Sequence, residues 1–288
     1  MWHEHLNNCG MMKIKNIFLH ALLLFLFFGC SQKEKSAPQW KMGIQTYTFN
    51  QFTLKEALEK TRDLGLNYAE AYFFQELGDV SPDTAWLNFD LPAHVLENLR
   101  EEYRKHDIVW YASGVAFYDN EADWNRFFEF ASQMDLKVVT AEPQYEDLDL
   151  VEELAQKYKI RVAIHNHPEP SLYANPDTLL KVLEGRSEFM GVCADIGHWK
   201  RVGADPLETI KRCKGKLMVV HMKDINAQLQ DTIWGTGILP LREIVQELYN
   251  QDFDGLISVE YENYESTLMY DISESLKYFK SITEELNR

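Results

Sequence analysis

Cysteine is scarce: four residues in 288, at positions 9, 30, 193 and 213, too few and too scattered for a disulfide scaffold. Cys193 sits inside an apolar run and Cys213 near the end of a helical stretch. Neither has metal-ligand spacing, and both read as small buried or half-buried thiols. Positive charge is short as well. Twenty-nine Lys and Arg stand against 45 Asp and Glu, a net charge of −16, which argues against nucleic acid or anionic lipid as a partner. The acids are spread over helical segments rather than gathered in a tail, so most form a solvated surface. A glycine-rich phosphate loop is missing too. The turn after the first strand, Thr48-Phe-Asn-Gln-Phe-Thr53, has no glycine, which counts against an open dinucleotide-binding sheet.

The apolar run Ile17 to Phe28 is shorter than the ~20 residues of a membrane-spanning helix. Lys13 and Lys15 precede it and Gly29-Cys30-Ser31 follows, which resembles a bacterial lipoprotein signal cleaved ahead of a lipid-bearing Cys30. Met11 or Met12 is a more sensible start than Met1, because it brings the lysines to the amino end. The expected organisation is a signal peptide over residues 1–30, a polar tether over 31–39 and a folded region over 40–288. The expected location is the bacterial cell envelope, periplasm or outer membrane, with membrane contact only through the N-terminal lipid. An oligomer is left open.

What the rest of the chain has is rhythm. Gly191-Val-Cys-Ala-Asp-Ile-Gly-His198 reads as a buried strand ending in an acid, a turn glycine and an imidazole. The pattern recurs in Val138-Val-Thr-Ala-Glu142, Val162-Ala-Ile-His165-Asn-His167, Leu217-Met-Val-Val-His221-Met-Lys-Asp224 and Leu256-Ile-Ser-Val-Glu260-Tyr-Glu262. Strands are also expected at Trp40–Phe49, Leu66–Phe74 and Ile108–Val115. Helices are expected between successive strands, many opened by proline (Pro92, Pro176, Pro206, Pro240), and a long one closes the chain from Glu265. Eight strand–helix units in sequence predict an α/β fold, a single (β/α)8 TIM barrel with its chemistry at the C-terminal strand ends. The ionisable ends concentrate in the second half.

Glu142, Asp195, His221 and Glu260 are most economically read as a metal site. Three carboxylates and an imidazole suit Mn, Mg or Co and tolerate Zn, and without a cation they would repel one another. Each has a plainer reading: Glu142 as a surface acid, Asp195 as a helix cap before Gly197, His221 as a satisfied core histidine. Glu262 lies on the same strand face as Glu260, but Glu260 directly follows the apolar run.

At Ala141-Glu142-Pro143, Asp195-Ile-Gly-His198, His221-Met-Lys-Asp224 and Val259-Glu260, the sequence resembles the xylose isomerase-like barrel superfamily of sugar isomerases and epimerases. The resemblance implies a divalent metal on Glu142, Asp195, His221 and Glu260, a small carbohydrate substrate, and His198 against substrate oxygens. It also implies proton transfer next to a carbonyl through an enediolate, with Glu142 and Glu260 as base and acid. Lys223 stands where ketose epimerases of that family carry an arginine slightly farther on. Loss of a β leaving group would instead make the protein a lyase or dehydratase, acting for example on 3-keto-glycosides, with His165, His167 or Lys223 protonating the departing oxygen. His165 and His167 share a face and read equally as substrate groups or as supports behind the metal ligands. Trp199 and Trp234 are expected on loops walling a sugar pocket, with Tyr47, Tyr72, Trp86 and Trp110 as further wall or core residues. Gly235 and Gly237 suggest a lid, mobile or tightly turned. Two rival classes stay open: a DNA endonuclease, disfavoured by the acidic charge, and a sugar-binding protein without catalysis.

Overall fold

The computed structural model describes residues 40–286 apart from 82 and 83; the expected signal and tether lie outside the described residues. Eight short apolar runs form β1 (Lys41–Gln45), β2 (Tyr68–Ala71), β3 (Val109–Ala116), β4 (Val138–Ala141), β5 (Arg161–Ile164), β6 (Met190–Asp195), β7 (Leu217–Met222) and β8 (Leu256–Val259). Each pairs in parallel with the next, and β8 pairs with β1 to close the barrel. The closed (β/α)8 barrel expected from the sequence is the observed fold. In a barrel jacketed by helices the strands are buried on both faces, and β4, β6 and β8 are buried at every position. β6 also needs a bare Cα to approach its neighbour: a Cβ on Gly191 would lie 2.4 Å from the Lys216 carbonyl oxygen.

The helices are α1 (Leu54–Asp63), α2 (Ala93–Lys105), α3 (Glu121–Gln133), α4 (Leu148–Tyr158), α5 (Pro176–Val182), α6 (Ile196–Arg201), α7 (Pro206–Arg212), α8 (Leu241–Asn250) and α9 (Leu268–Glu285). Local chemistry fixes their starts. Thr53 and Glu56 exchange hydrogen bonds as a capping box on α1, and Asp205 caps α7 with Pro206 in its first turn. Two cores result. Apolar helix faces pack on the outside of the barrel, with Trp124, Phe127, Phe128 and Phe130 of α3 as the bulkiest contribution. A separate cluster drawn from strands alone, including Tyr111, Val138, Cys193, Val219 and Leu256, fills the lumen. Among the described residues, no helix is long and apolar enough to cross a membrane.

Three departures from the expected elements matter for the site. The first strand stops at Gln45, and residues 46–49 form a 3-10 turn whose threonines serve as acceptors. Thr46 Oγ1 takes the Tyr72 N–H at 3.2 Å, and Thr48 Oγ1 takes the Tyr261 N–H at 3.1 Å. The Asp195 strand runs directly into the short helix α6. After β7 the chain makes a small antiparallel hairpin, Asp224–Ile225 with Asp231–Thr232. The segment after the hairpin is tied back to it: Asp224 accepts backbone N–H groups from Gly235, Gly237 and Leu239 as well as from Ile225. Gly235 and Gly237 thus belong to a tight turn.

Candidate active site

Asp195, the last residue of β6, is fully buried. Its Oδ1 accepts the His198 N–H at 2.7 Å and so caps α6, while Asn166 clamps its backbone with bonds of 2.9 and 3.0 Å. The cap reading and the ligand reading of this residue are therefore compatible, because one oxygen remains. Oδ2 is buried and accepts no hydrogen bond. His165 Nε2, His221 Nδ1 and Glu260 Oε2 share that condition. All lie close together: His165 Nε2 is 3.9 Å and His221 Nδ1 4.0 Å from Asp195 Oδ2, and His221 Nδ1 is 3.0 Å from Glu260 Oε2. Lys223 Nζ is the ion-pair partner of the two carboxylate oxygens, but no aligned hydrogen bond reaches any of these four atoms, and burial without one is costly. Asp195, His221 and Glu260 each bring a ligand atom to a common spot, with His165 Nε2 beside Asp195, and carboxylate oxygens with imidazole nitrogen are a donor set that fits a divalent cation such as Zn, Co or Mn.

Glu142 stands apart from this spot. Its Oε1 accepts from His165 Nδ1 at 2.9 Å, His167 Nδ1 at 2.6 Å and the His167 N–H at 3.0 Å, and its Oε2 accepts from Ser171 Oγ at 2.7 Å. Burial disfavours its charge, but the two imidazoles win and hold the carboxyl far below the usual range. Of the four expected ligands, the structure brings Asp195, His221 and Glu260 together; His165 Nε2 lies 3.9 Å from Asp195 Oδ2, with Glu142 behind His165. Glu70, which sequence reasoning missed, stands in the same relation to His221. It is fully buried in β2, bonds His221 Nε2 at 2.8 Å and accepts from Thr140 Oγ1 at 2.6 Å. A carboxylate behind a histidine fixes which nitrogen faces inward. The signal for Glu70 was a lone acid in the apolar stretch Tyr68-Ala-Glu-Ala-Tyr72.

Lys223 is fully buried, with its Nζ 3.0 Å from Asp195 Oδ2, 3.1 Å from Glu260 Oε2 and 3.1 Å from Glu262 Oε1. Burial opposes its charge, yet the flanking carboxylates hold its pKa well above the ordinary value. The same pairing keeps Asp195 and Glu260 ionised against their own burial. Lys223 and Asp224 do not pair as surface ions; they face different partners.

His198 is oriented from behind. Arg201 Nη1 lies 2.9 Å from its Nδ1, and the Arg201 guanidinium is in turn paired with buried Asp231. A guanidinium can only donate, so Nδ1 accepts and the ring proton sits on Nε2, which lies 3.4 Å from Asp195 Oδ2. Burial, reinforced by the charges of Lys223 and His165, outweighs Asp195 and pushes His198 down to about 3, so it is neutral at ordinary pH. The His167 side chain is 45% exposed and opens the site to solvent. Cys193 has its sulfur within ligand reach of His165 and His221, and burial pushes the thiol up to about 12. Trp199 and Trp234, expected on loops walling a sugar pocket, are instead buried in the hydrophobic core, Trp234 against Phe279.

Comparisons with known sequences and structures identify the family and the fold. The family of xylose isomerase-like TIM barrels matches residues 58–282. A solved structure of an uncharacterized protein from Parabacteroides distasonis ATCC 8503 is 47% identical, with TM-score 0.71, covering 84% of this chain and 98% of that one. An inosose dehydratase of Bacillus thuringiensis (strain Al Hakam) is 22% identical over 216 residues, 65% of this chain and 71% of the relative. The IolI protein, solved with a zinc atom, shares the fold at 19% identity and TM-score 0.67, covering 85% of this chain and 99% of its own. With the family matched over most of its length and eight strands closed in the expected order, the chain belongs to the xylose isomerase-like TIM barrel family.

Proposed function

We propose that the protein is a divalent-metal-dependent sugar isomerase or epimerase that removes a proton next to a carbonyl group. The observation that carries this reading is the meeting of buried ligand atoms from Asp195, His221 and Glu260, with His165 beside Asp195, next to a His198 held in one orientation by Arg201. A cation held there supplies the positive charge that makes a C–H beside a sugar carbonyl acidic. The chain's own groups do the rest. Glu260 is ionised and takes the proton. His198 offers its Nε2–H to a substrate oxygen, and Lys223 offers an ammonium at the same wall. Glu142 keeps His165 and His167 in register rather than trading protons itself, since both of its oxygens are engaged.

Elimination is the second reading, favoured by the dehydratase relative and by the donors His198 and Lys223 beside the base. Glu260 again takes the proton, the C–O bond one carbon on breaks, and its electron pair leaves with the oxygen, which is protonated by a donor. The exported, lipid-anchored state belongs to the same proposal. It favours neutral sugars over sugar phosphates, and loss of lipid labelling in Cys30→Ser checks it.

The test is incubation of metal-supplied protein with aldoses, ketoses and keto-glycosides in D₂O, followed by NMR. Deuterium at one carbon with a moved carbonyl means isomerisation, deuterium with inversion means epimerisation, and a released water or alcohol means elimination. Glu260→Gln is expected to abolish all three with the fold intact. Binding of sugar with no exchange in the wild type would leave a non-catalytic sugar-binding protein.

A further inference from the structure

The rim of the barrel has two unlike halves. Ionisable groups come from the strand ends of β4 to β8. Over β1 to β4 the loops instead carry exposed aromatic rings. Tyr47 follows β1 and is 41% exposed, Phe74 and Trp86 follow β2 at 71% and 52%, Phe117 follows β3 at 69%, and Tyr145 follows β4 at 47%. Among the described residues, Tyr270 is the other aromatic exposed to this degree, and it lies on α9. Five exposed rings on successive loops of one rim are a surface suited to meeting a ligand.

The arc is also built. Tyr47 meets Tyr72 edge to face at 5.1 Å between ring centres, and Asn50 donates to Tyr264 Oη at 2.7 Å, linking the loop after β1 to the loop after β8. Trp86 is held by a bridge pairing with Glu76. The aromatic arc thus adjoins the ionic half through Tyr264, beyond Glu260 and Glu262, while Tyr145 at its other end lies over the groove between α4 and α5.

Resting on the reading of the site as a carbohydrate enzyme, we propose that the substrate is a disaccharide. Its reacting ring lies over Asp195, His221 and Glu260, and its second ring lies on the aromatic arc. A pyranose presents C–H groups on its faces and hydroxyls around its edge. Flat rings bury the former and leave the latter to water. The exposed apolar side chains that follow β6 and β7, Val202, Leu229 and Ile238, are aliphatic and offer no flat ring, and Trp199 and Trp234 are committed to the core.

Binding is measured on the full chain by tryptophan fluorescence and calorimetry, with glucose against maltose, cellobiose and trehalose. At least one disaccharide is expected to bind at least about tenfold tighter than glucose, a difference of about 1.4 kcal/mol. Trp86→Ala and, separately, Phe117→Ala are expected to erase most of that advantage while leaving glucose affinity unchanged. Equal affinity for glucose and all three disaccharides in the wild type overturns the proposal, as does a variant that weakens mono- and disaccharide alike. Concentration-dependent self-association that buries Trp86 also overturns it, by making the arc an interface between copies. Glucose binding without a disaccharide advantage sinks this inference alone, whereas absence of any saccharide binding removes the underlying reading with it.

Discussion

At the scale of single residues, the site depends on which atoms are already engaged. Glu142 and His165 show the difference: the carboxylate has partners on both oxygens, and the imidazole has one nitrogen bound to Glu142 and the other free. His165→Ala is therefore expected to lose stoichiometric metal in elemental analysis. Glu142→Gln should retain it with affinity weakened by about 10–100-fold, as for other carboxylates behind a metal-binding histidine. The reverse order of losses would return Glu142 to the ligand set. Asp195, His221 and Glu260 were legible in the sequence because each interrupts or ends an apolar run, where an acid or imidazole needs a partner. Glu142 was legible as a strand end, but spacing along a chain does not say which of two neighbouring strand ends faces the centre. Glu70 was not legible as a functional group, because a single acid in a strand reads as ordinary alternation. Trp199 and Trp234 were misplaced for a related reason: aromatic character does not tell a core ring from an exposed one.

At the scale of elements, strand and helix order followed from apolar runs punctuated by proline and capping residues. The hairpin after β7 did not, because its stability comes from one side chain rather than from a hydrophobic pattern. Asp224 gathers four backbone N–H groups, and Gly237 lies against it so closely that a Cβ would fall 2.2 Å from Asp224 Oδ1. Removing the acceptor leaves those donors without a partner, at a cost of about 1–3 kcal/mol for each that stays buried. In Asp224→Ala, hydrogen exchange at Gly235, Gly237 and Leu239 is expected to rise by at least about tenfold, with barrel-strand amides unchanged. Uniform acceleration across the strands would show that the carboxylate supports the whole barrel rather than this loop.

At the scale of the whole molecule, a chain of net charge −16 concentrates carboxylates at one end of its barrel and still closes it. Lys223 makes this feasible, lying within 3.1 Å of Asp195, Glu260 and Glu262. The protein stripped with a chelator is thus expected to keep its far-UV dichroism. Metal at about 100 times its dissociation constant should add about 2.7 kcal/mol, or roughly 5–10 °C in Tm. In Lys223→Met the stripped form has three carboxylates and no ammonium among them, so the gap between loaded and stripped Tm should widen. An unchanged gap would mean that the ammonium does not balance these charges.

The direction of β1 has a practical corollary. Its first residue, Lys41, sits at the end of the barrel opposite Asp195, His221 and Glu260, because all eight strands run the same way. A bead or sensor chip coupled at the start of β1 therefore holds the barrel by the floor. The opening then faces the bulk fluid, where diffusing molecules arrive.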